Sequence, residues 1–547
     1  MYNKTILRIC ILLLISFEAF EISGWTGEIN FGVISDTHFY DTELVIEGLA
    51  FENYLKNDRK LLKESQAILE STIDSLLDEE INFLLITGDL TKDGALTSHQ
   101  KFASYLKILE ENNIEVYVIP GNHDINNSNA LSYKDDTATR VLSISPKDFE
   151  NIYYDFGYAQ ALDRDEHSLS YVVEPIEGLW LIGLDSCRYE DSKVLGYPVT
   201  AGRISIETEE WCLEKLQEAK TNQKFVIGFM HHGILEHFKD QSIFFESYVI
   251  NDWKNVSESF AEAGLKLVFT GHFHAQDATE KIWFKNGLEY SITDIETGSL
   301  VSYPCPYRIV SINQYGYLNI QSELVTQIDY DTGKDTFQNY SWKYLYNGVI
   351  DIVKQLLTLP IKMGGFGLSK ELVDQVAPMI ANSIMVHFSG NDTLSEEINE
   401  IIMGYLESND TALVLIGYIL QTIWTDLPPS DNDLSLNLNS HRINLNSSKI
   451  YYESGDKIEI KIKAYNPSDN TNDIYIILMH EGNNYYYPAW KKTPSFMVIK
   501  PKTRFEKIIT TEFNNTIPKG TYIIRGGITE HDSPDIFCTD SLTLTIK

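Results

Sequence analysis

Polar residues that can bind a divalent metal or transfer a proton recur in short clusters along the first half of the chain. The clusters are Asp36-Thr37-His38, Gly88-Asp89, Gly121-Asn122-His123-Asp124, His231-His232 and Gly271-His272-Phe273-His274. Imidazole and carboxylate groups are ligands that Zn, Mn and Fe share, and an amide oxygen adds a neutral ligand. Two such ions, bridged by one carboxylate, activate a water molecule for hydrolysis near neutral pH. The clusters therefore indicate hydrolytic chemistry at a pair of metal ions.

Each cluster ends or follows a short apolar run that is typical of a buried strand. These runs occupy residues 29–36, 81–89, 114–122, 224–231 and 265–272, and a further run occupies 179–186. Apolar residues at helical spacing over 61–79, 98–109 and 207–219 predict helices between the strands, and hence an α/β domain. The loops at the carboxyl ends of strands in such a domain converge on one crevice. Each motif alone is common by chance, but five in this order at strand ends are not.

The ordered set D-x-H, G-D, G-N-H-D, H and G-H-x-H resembles the calcineurin-like metallophosphoesterase superfamily over about residues 28–325. The strings GDLTKDG at 88–94, VIPGNHD at 118–124 and MHHG at 230–233 are similar to bacterial class III cyclic-nucleotide phosphodiesterases, one branch of which carries a C-terminal helical appendage. The resemblance implies a layered β-sandwich flanked by helices. It also implies two divalent metal ions, with Mn, Fe and Zn as the candidates.

The resemblance also implies which residues hold the two ions. The expected metal ligands are Asp36, His38 and His274 for one ion, Asn122, His231 and His272 for the other, and Asp89 as the bridge. Relatives often have a proline two residues after the histidine that matches His231, and Gly233 stands at that position here. His231 is therefore taken as the ligand in preference to His232.

Two residues of the third cluster are expected to act in catalysis. By analogy, His123 faces the scissile phosphate and stabilises charge or protonates the leaving oxygen, and Asp124 orients His123. The implied reaction is hydrolysis of a phosphodiester by a hydroxide held between the two metals, with 3',5'-cyclic nucleotides among the candidate substrates. The alternatives are a phosphomonoesterase or nucleotidase of the same superfamily. The rival from another class is a non-catalytic cell-surface binding protein, although no motif position is missing.

The charge of the chain restricts its partners. Lys and Arg number 44 and Asp and Glu number 78, which gives a net charge of −34. This charge repels a phosphate backbone and argues against nucleic acid as a partner. A small phosphoester remains possible as the substrate, because bound metal ions supply the positive charge that the site needs.

The N-terminal segment predicts export. Lys4 and Arg8 accompany an apolar run from Ile9 to Phe17, which is too short to span a membrane comfortably. Residues 1–24 are therefore interpreted as a signal peptide, and the protein is expected to be secreted or held in the cell envelope. No A-x-A motif precedes Trp25, so whether the segment is removed stays open.

Changes in pattern along the chain predict further domains. The expected boundaries are 1–24 for the signal peptide, 25–335 for the catalytic domain, 336–428 for a helical auxiliary domain and 435–547 for an immunoglobulin-like β-sandwich. A polar linker reaches to about Ser448. The aromatic cluster Tyr485, Tyr486, Tyr487 and Trp490 is a candidate surface for binding the cell envelope, although packing within the sandwich is the more common role. The five cysteines form no CxxC pair, which excludes a zinc finger.

Overall fold

The computed structural model describes most of the chain in two compact units. It describes residues 28–46, 48–56, 58–285, 288–313, 316–359, 365–391, 394–438, 442–447, 451–452, 457–466, 472–480, 483–486, 497–499, 503–512, 520–530 and 536–546. The first unit contains the described residues of 1–315, 320–393 and 402–434, and the second contains those of 316–319, 394–401 and 435–547. The predicted signal peptide, Tyr487 and Trp490 lie outside the described residues.

The first part of the chain alternates short strands with helices. The strands are β1 (Glu28–Ile34), β2 (Val45–Ile46), β3 (Phe83–Ile86), β4 (Glu115–Val118), β5 (Leu131–Lys134), β6 (Thr137–Arg140), β7 (Asp163–Arg164), β8 (Tyr171–Ile176), β9 (Leu179–Leu184), β10 (Phe225–Met230), β11 (Leu267–Thr270), β12 (Asp277–Lys285), β13 (Leu288–Glu296), β14 (Pro306–Asn313) and β15 (Tyr317–Leu324). The helices are α1 (Leu49–Leu55), α2 (Ser65–Asp78), α3 (Leu96–Glu111), α4 (Pro146–Ile152), α5 (Tyr189–Leu195), α6 (Ile206–Thr221), α7 (Gln241–Phe244) and α8 (Trp253–Ala263). Short 3-10 turns lie at Thr42–Leu44 and Glu246–Tyr248, and a π-type turn lies at Tyr154–Tyr158.

Two facing sheets form the core of this part. The first contains the order β15-β14-β1-β3-β4, in which β1, β3 and β4 are parallel. The second has the order β12-β13-β11-β10-β9-β8-β7, in which β13, β11, β10 and β9 are parallel. The ring of Phe31 on β1 lies 4.8 Å from that of Phe83 in its own sheet and 5.5 Å from that of Phe269 in the other. The expected clusters thus follow strands of two sheets whose apolar faces pack together.

The predicted helices occur, and the largest difference in their bounds is at the start of α2. The apolar pattern predicts a helix over 61–79, whereas α2 begins at Ser65. Leu61 and Leu62 are buried in the loop before the helix, where the Leu61 amide donates to the Val301 carbonyl at 2.8 Å. Their apolar character reflects burial in a loop, which periodicity alone does not distinguish from a helix start.

A helical region follows, with bounds α9 (Phe337–Thr358), α10 (Lys370–Phe388), α11 (Glu396–Leu406) and α12 (Thr411–Ile423). Hydroxyl side chains cap α9 and α10, since Thr336 accepts from the Asn339 amide and Ser369 from the Leu372 amide. The indole of Trp424, just after α12, donates to Ser383 Oγ on α10 at 2.9 Å. Among the helices that the structure describes, none has the length and apolar composition needed to cross a bilayer.

The C-terminal region is all-β. Its strands are β16 (Leu434–Asn437), β17 (Arg442–Ser447), β18 (Tyr451–Tyr452), β19 (Lys457–Asn466), β20 (Asn472–His480), β21 (Asn483–Tyr486), β22 (Met497–Ile499), β23 (Thr503–Glu512), β24 (Gly520–Glu530) and β25 (Ile536–Ile546). One sheet has the order β17-β19-β23 and the other β18-β25-β24-β20-β21. Buried residues of both sheets, among them Ile462, Ile476 and Ile524, form a shared core. The predicted fold class, an α/β domain followed by helices and an all-β sandwich, is confirmed.

The segment predicted as a polar linker contains two of these strands. β16 and β17 lie within it, at 434–437 and 442–447. Leu434, Leu438 and Leu445 are buried there. Alternating apolar residues decide the structure of this stretch, because strand pairing buries every second side chain whatever the composition of the exposed face.

Candidate metal centre

The seven side chains predicted as metal ligands lie on loops that directly follow strands of both sheets. These residues are Asp36 and His38 after β1, Asp89 after β3, Asn122 after β4, His231 after β10, and His272 and His274 after β11. Potential ligand atoms lie within 4.8 Å of one another in three groups. The groups are Asp36-His38-His274, His38-Asp89-His123 and Asp89-His231-His272.

The first group is compact and contains an unsatisfied carboxylate oxygen. Nε2 of His274 lies 3.2 Å from Oδ1 of Asp36 and 3.2 Å from Nε2 of His38. Oδ1 of Asp36 is buried and, although His274 Nε2 is this close, accepts no hydrogen bond of good geometry. Its other oxygen, Oδ2, accepts from Ser35 Oγ at 2.5 Å and from the His272 amide at 2.9 Å. Two imidazole nitrogens and a bare carboxylate oxygen that face one another fit a divalent cation.

The group around His231 adjoins the first group through Asp89. Nε2 of His231 lies 3.1 Å from Oδ1 of Asn122 and 3.4 Å from Oδ2 of Asp89. The same Oδ2 lies 3.7 Å from Nε2 of His38, which belongs to the first group. One carboxylate oxygen is therefore close to both groups, as a bridging ligand must be.

Hydrogen bonds to backbone carbonyls orient two of the imidazoles. Nδ1 of His231 bonds the Thr87 carbonyl at 2.9 Å, and Nε2 of His272 bonds the Ser247 carbonyl at 3.1 Å. Each ring therefore directs its remaining nitrogen, Nε2 of His231 and Nδ1 of His272, away from that bond. Such supporting bonds fix the tautomer of a metal-binding histidine.

His232 is turned away from the cluster. Its Nδ1 lies 2.7 Å from Ser186 Oγ, and its Nε2 lies 2.8 Å from the Thr200 carbonyl. Both ring nitrogens are thus engaged in the loops behind His231. The structure therefore places His231 among the candidate ligand atoms and gives His232 a packing position.

The backbone at five of the seven positions has a left-handed conformation. The φ angles are +49° at Asp36, +36° at His38, +47° at Asp89, +77° at His272 and +70° at His274. For residues other than glycine this conformation costs on the order of 1 kcal/mol or more, and such strain is concentrated at functional sites. Strain at so many of the ligand positions supports a binding role for these loops.

Close approach of the loops requires glycine beside the bridging carboxylate. A Cβ atom at Gly121 would overlap the backbone nitrogen and Oδ1 of Asp89. The G-N-H-D motif therefore begins with glycine, because any side chain would push the loops after β3 and β4 apart.

Burial and neighbouring charges keep two of the imidazoles and the central carboxylate in the forms that bind a metal ion, but leave His231 protonated. Burial is the main cause that holds the pKa of His38 and of His272 well below the usual range, which keeps both imidazoles neutral. Burial opposes ionisation of Asp89, but His231 and His123 hold its pKa well below the usual value. Asp89 in turn raises the pKa of His231 to about 9 against the effect of burial. Metal binding must therefore displace the His231 proton.

His123 is oriented by a carboxylate that does not belong to any of the five clusters. Nδ1 of His123 lies 2.6 Å from the Lys92 carbonyl and 3.2 Å from Oδ1 of Asp93. Asp93 also contacts the ammonium of Lys92, which lies 4.0 Å from the ring centroid of Tyr54. Burial opposes the change, but Asp89 and Asp93 raise the pKa of His123. Asp93 belongs to the string GDLTKDG, whose second acidic residue is the signal that could have identified it.

The carboxylate of Asp124, which was expected to orient His123, bonds the backbone of two loops. The carboxylate accepts hydrogen bonds from the amides of Leu90, Thr91 and Gly121 at 2.8–3.0 Å and from Thr91 Oγ1 at 3.1 Å. These bonds tie the loop after β3 to the loop after β4. Burial and then Asp89 raise the pKa of Asp124 to about 7, against the effect of the amides. The carboxylate is turned toward the loop backbone, and Asp93 occupies the place beside His123.

Two facing sheets whose strand ends bring His, Asp and Asn side chains into adjoining groups define a metal-dependent hydrolase domain. Residues 29–276 match the model of the family described as calcineurin-like phosphoesterase. This part of the chain belongs to that family and is a metal-dependent phosphoesterase domain. The predicted superfamily is thus confirmed.

Whole-chain comparisons add little to this assignment. No curated protein is significantly similar to the chain. The solved structures with matching segments include a Niemann-Pick type C2 protein from Japanese carpenter ant, with 13% identity over 19% of this chain and 89% of that chain and a TM-score of 0.15. They also include the CARDB domain of a Pyrococcus furiosus protein in complex with di-metal ions, with 9% identity over 20% of this chain and 87% of that chain and a TM-score of 0.15. These similarities are too low to bear on fold or function.

Proposed function

We propose that this protein hydrolyses phosphodiesters at two divalent metal ions. The observation that supports the proposal most directly is the position of Asp89 Oδ2, 3.4 Å from Nε2 of His231 and 3.7 Å from Nε2 of His38. A shared carboxylate between two imidazole-rich groups is the arrangement that a pair of metal ions needs.

The residues fit the ions that the family uses. Asp36, His38 and His274 would hold one ion, Asn122, His231 and His272 would hold the other, and Asp89 would contact both. The orphaned Oδ1 of Asp36 and the imidazoles held neutral by burial are the features that support this fit. When bound, two divalent cations neutralise the phosphate oxygens and activate water for attack.

His123 is the proposed general acid. Its Nδ1 faces the Lys92 carbonyl and Asp93, so a proton on Nδ1 is held there and Nε2 is left to serve the substrate. Asp89 and Asp93 favour the protonated ring. A protonated Nε2 can give its proton to the leaving alkoxide oxygen, which is the step that a poor leaving group needs most.

Charge favours a diester, with cyclic nucleotides among the candidates, over a monoester. A diester carries one negative charge and a monoester carries nearly two near neutral pH, so the field of a chain with net charge −34 opposes the monoester more. A phosphomonoester is the second candidate because Lys60 adds a positive charge that acts on both His38 and His123. Asp58 holds the Lys60 ammonium at 3.5 Å.

A panel assay with added Mn²⁺ distinguishes the phosphodiesterase from the phosphomonoesterase. Bis-p-nitrophenyl phosphate, p-nitrophenyl phosphate and cyclic nucleotides are compared at equal concentration, with the Asp89→Asn protein as the control for contaminating activity. We expect the diesters to give the higher kcat/KM. A higher kcat/KM for p-nitrophenyl phosphate than for either diester type contradicts the diesterase assignment. No hydrolysis of any substrate, with metal bound, favours the non-catalytic binding protein.

The cellular placement is also a proposal. The positive residues and apolar run within 1–24 support export to the cell envelope or beyond. The C-terminal aromatic residues, of which Tyr485 and Tyr486 lie on β21, support envelope binding by the sandwich. Fractionation of expressing cells, followed by N-terminal sequencing of the exported protein, tests both placement and removal of the segment. Recovery of all the protein in the cytoplasmic fraction contradicts the proposed export.

A further inference from the structure

The carboxyl end of α10 packs against the loop that carries two of the proposed metal ligands. Phe273 stands between His272 and His274, and its ring lies 5.7 Å from that of His387 and 6.1 Å from that of Phe388. Two residues beyond His274, the amide of Gln276 donates to the Phe388 carbonyl at 3.1 Å. The helical region is therefore in direct contact with the ligand loop.

The same helical region also holds the segment 238–248, which follows the ligand His231. The hydroxyl of Tyr418 on α12 donates to Oδ2 of Asp240 at 2.6 Å. The ring of Phe244 lies 5.9 Å from that of Tyr418, and the ring of Phe238 lies 5.1 Å from that of His387. Contacts from α10 and α12 thus fix this segment at several points.

The segment 238–248 in turn orients the imidazole of His272. Its Ser247 carbonyl bonds Nε2 of His272 at 3.1 Å. The ring of Tyr248 lies 4.8 Å from that of His272 and 4.9 Å from that of Phe273. A displacement of this segment would release the bond that fixes the tautomer of His272 and would remove the ring that packs against it.

We infer that the helical region is a positioning element of the metal centre, in which Phe388 and Tyr418 hold the ligand His272 in place through Phe273 and the segment 238–248. This inference rests on the proposed metal binding. The helices touch neither the ion nor the substrate, so Phe388 and Tyr418 are positioning residues. Loss of their contacts weakens the affinity of the protein for the ion that His272 would hold. The affinity for the ion at Asp36, His38 and His274 is reduced less.

The expected loss of metal affinity in these variants can be stated. Removal of a residue that supports a metal ligand reduces metal affinity on the order of 10-fold to 100-fold. Phe388→Ala removes a ring against Phe273 and should reach that range. Tyr418→Phe removes one oxygen and one hydrogen bond to Asp240, so a smaller loss of affinity is expected from it.

The test is Mn²⁺ binding to the full chain, measured by equilibrium dialysis, together with the visible absorption of the Co²⁺-loaded protein. Leu357→Ala is the matched control for Phe388→Ala, because it truncates a buried apolar residue of α9 in the same helical region. Tyr405→Phe is the control for Tyr418→Phe, since it removes a hydroxyl from α11. We expect weaker binding of one of two Mn²⁺ ions and an altered Co²⁺ spectrum in Phe388→Ala and Tyr418→Phe, with both controls like the wild type. Phe388→Leu, which restores most of the volume, should recover part of the affinity.

The outcomes are distinct. If the wild type binds two Mn²⁺ ions and both positioning variants bind them with unchanged midpoints and spectra, the inference is wrong and the proposed function stands. The same conclusion follows if Leu357→Ala weakens binding as much as Phe388→Ala does. If the wild type binds no Mn²⁺ or Co²⁺, the proposed function and the inference both fail. Should Phe388→Ala not fold, Tyr418→Phe and its control decide.

Discussion

Oδ1 of Asp93 lies 3.2 Å from Nδ1 of His123, and the same carboxylate contacts the buried ammonium of Lys92. A carboxylate in this position fixes the imidazole in one orientation and stabilises its protonated form. The side chain that assists the proposed general acid is therefore found four residues after Asp89, the proposed bridging ligand.

Asp93→Asn should lower kcat and leave metal content unchanged. The amide keeps the size of the side chain but removes the negative charge that favours protonation of His123, so the leaving oxygen receives its proton less readily. We expect a loss of about 10-fold to 100-fold in kcat, which is smaller than the ~10²–10⁴-fold that general acid catalysis contributes in full, because His123 itself remains. Asp41→Asn is the control, because Asp41 is another buried carboxylate paired with a lysine. Equal losses in both variants contradict a specific role for Asp93.

Asp89→Asn and His123→Ala should both abolish turnover for different reasons. The first variant lacks the carboxylate that adjoins both ligand groups and should lose metal. The second lacks the proposed acid, whose Nδ1 contacts Lys92 and Asp93, and should retain both ions. Elemental analysis of the purified variants distinguishes the two cases. An empty metal site in His123→Ala shows that His123 is a ligand and that its proposed role is wrong.

Asp124→Ala should destabilise the domain. Three backbone amides, of Leu90, Thr91 and Gly121, lose their acceptor in a buried setting. Each unsatisfied buried donor costs about 1–3 kcal/mol, so the melting temperature of the catalytic unit should fall by several degrees. Asp124→Asn keeps one oxygen and should have a smaller effect. A melting curve of Asp124→Ala that matches the wild type contradicts the anchoring role.

Removal of metal should also lower stability. The ligand loops bring together Asp36, Asp89 and several imidazoles, and ions that bind only the folded chain stabilise it by mass action. At a free ion concentration about 100 times Kd, one ion adds about 2.7 kcal/mol at 25 °C. Calorimetry before and after dialysis against a chelator measures the difference, and re-addition of Mn²⁺ should restore it. The Asp89→Asn protein should show little response to either step.

The lowered pKa of Asp58 predicts that the folded chain loses stability in acid. Burial opposes its ionisation, but Lys60, the Tyr54 hydroxyl and the Lys60 amide lower the pKa of Asp58 to about 2. Because the unfolded carboxyl has a pKa of ~3.9, this group stabilises the folded chain by about 2–3 kcal/mol well above that pH. The contribution is lost as the pH falls from about 4 to about 2.

The measurement is the difference in unfolding free energy between the wild type and Asp58→Asn at pH 6 and at pH 3. The difference should be larger at pH 6. The exposed pair of Lys343 and Asp335 provides the control, because an exposed ion pair contributes little and Asp335→Asn should change stability hardly at all. A difference for Asp58→Asn that does not depend on pH contradicts the assigned cause.

Residue types and their order predicted most of the fold and led to the proposed set of ligands. The runs before Asp36, Asp89 and His231 contain FGVI, FLLI and FVIGFM, which have no polar side chain. Such runs must be buried, so the strands follow directly from them. A regular order of His, Asp and Asn side chains at strand ends is typical of metal binding. The proposed ligand set and the α/β class therefore both follow from the sequence alone.

Tertiary structure alone decided which atoms orient the side chains of the site. The Thr87, Lys92 and Ser247 carbonyls hold His231, His123 and His272, and a carbonyl oxygen belongs to every residue, so no residue type marks it in the sequence. The packing of Phe388 against Phe273 joins residues that are far apart in the chain, and local periodicity shows only that both side chains are apolar. The sequence does not show which distant residues come into contact, because only the packed fold determines which apolar faces meet.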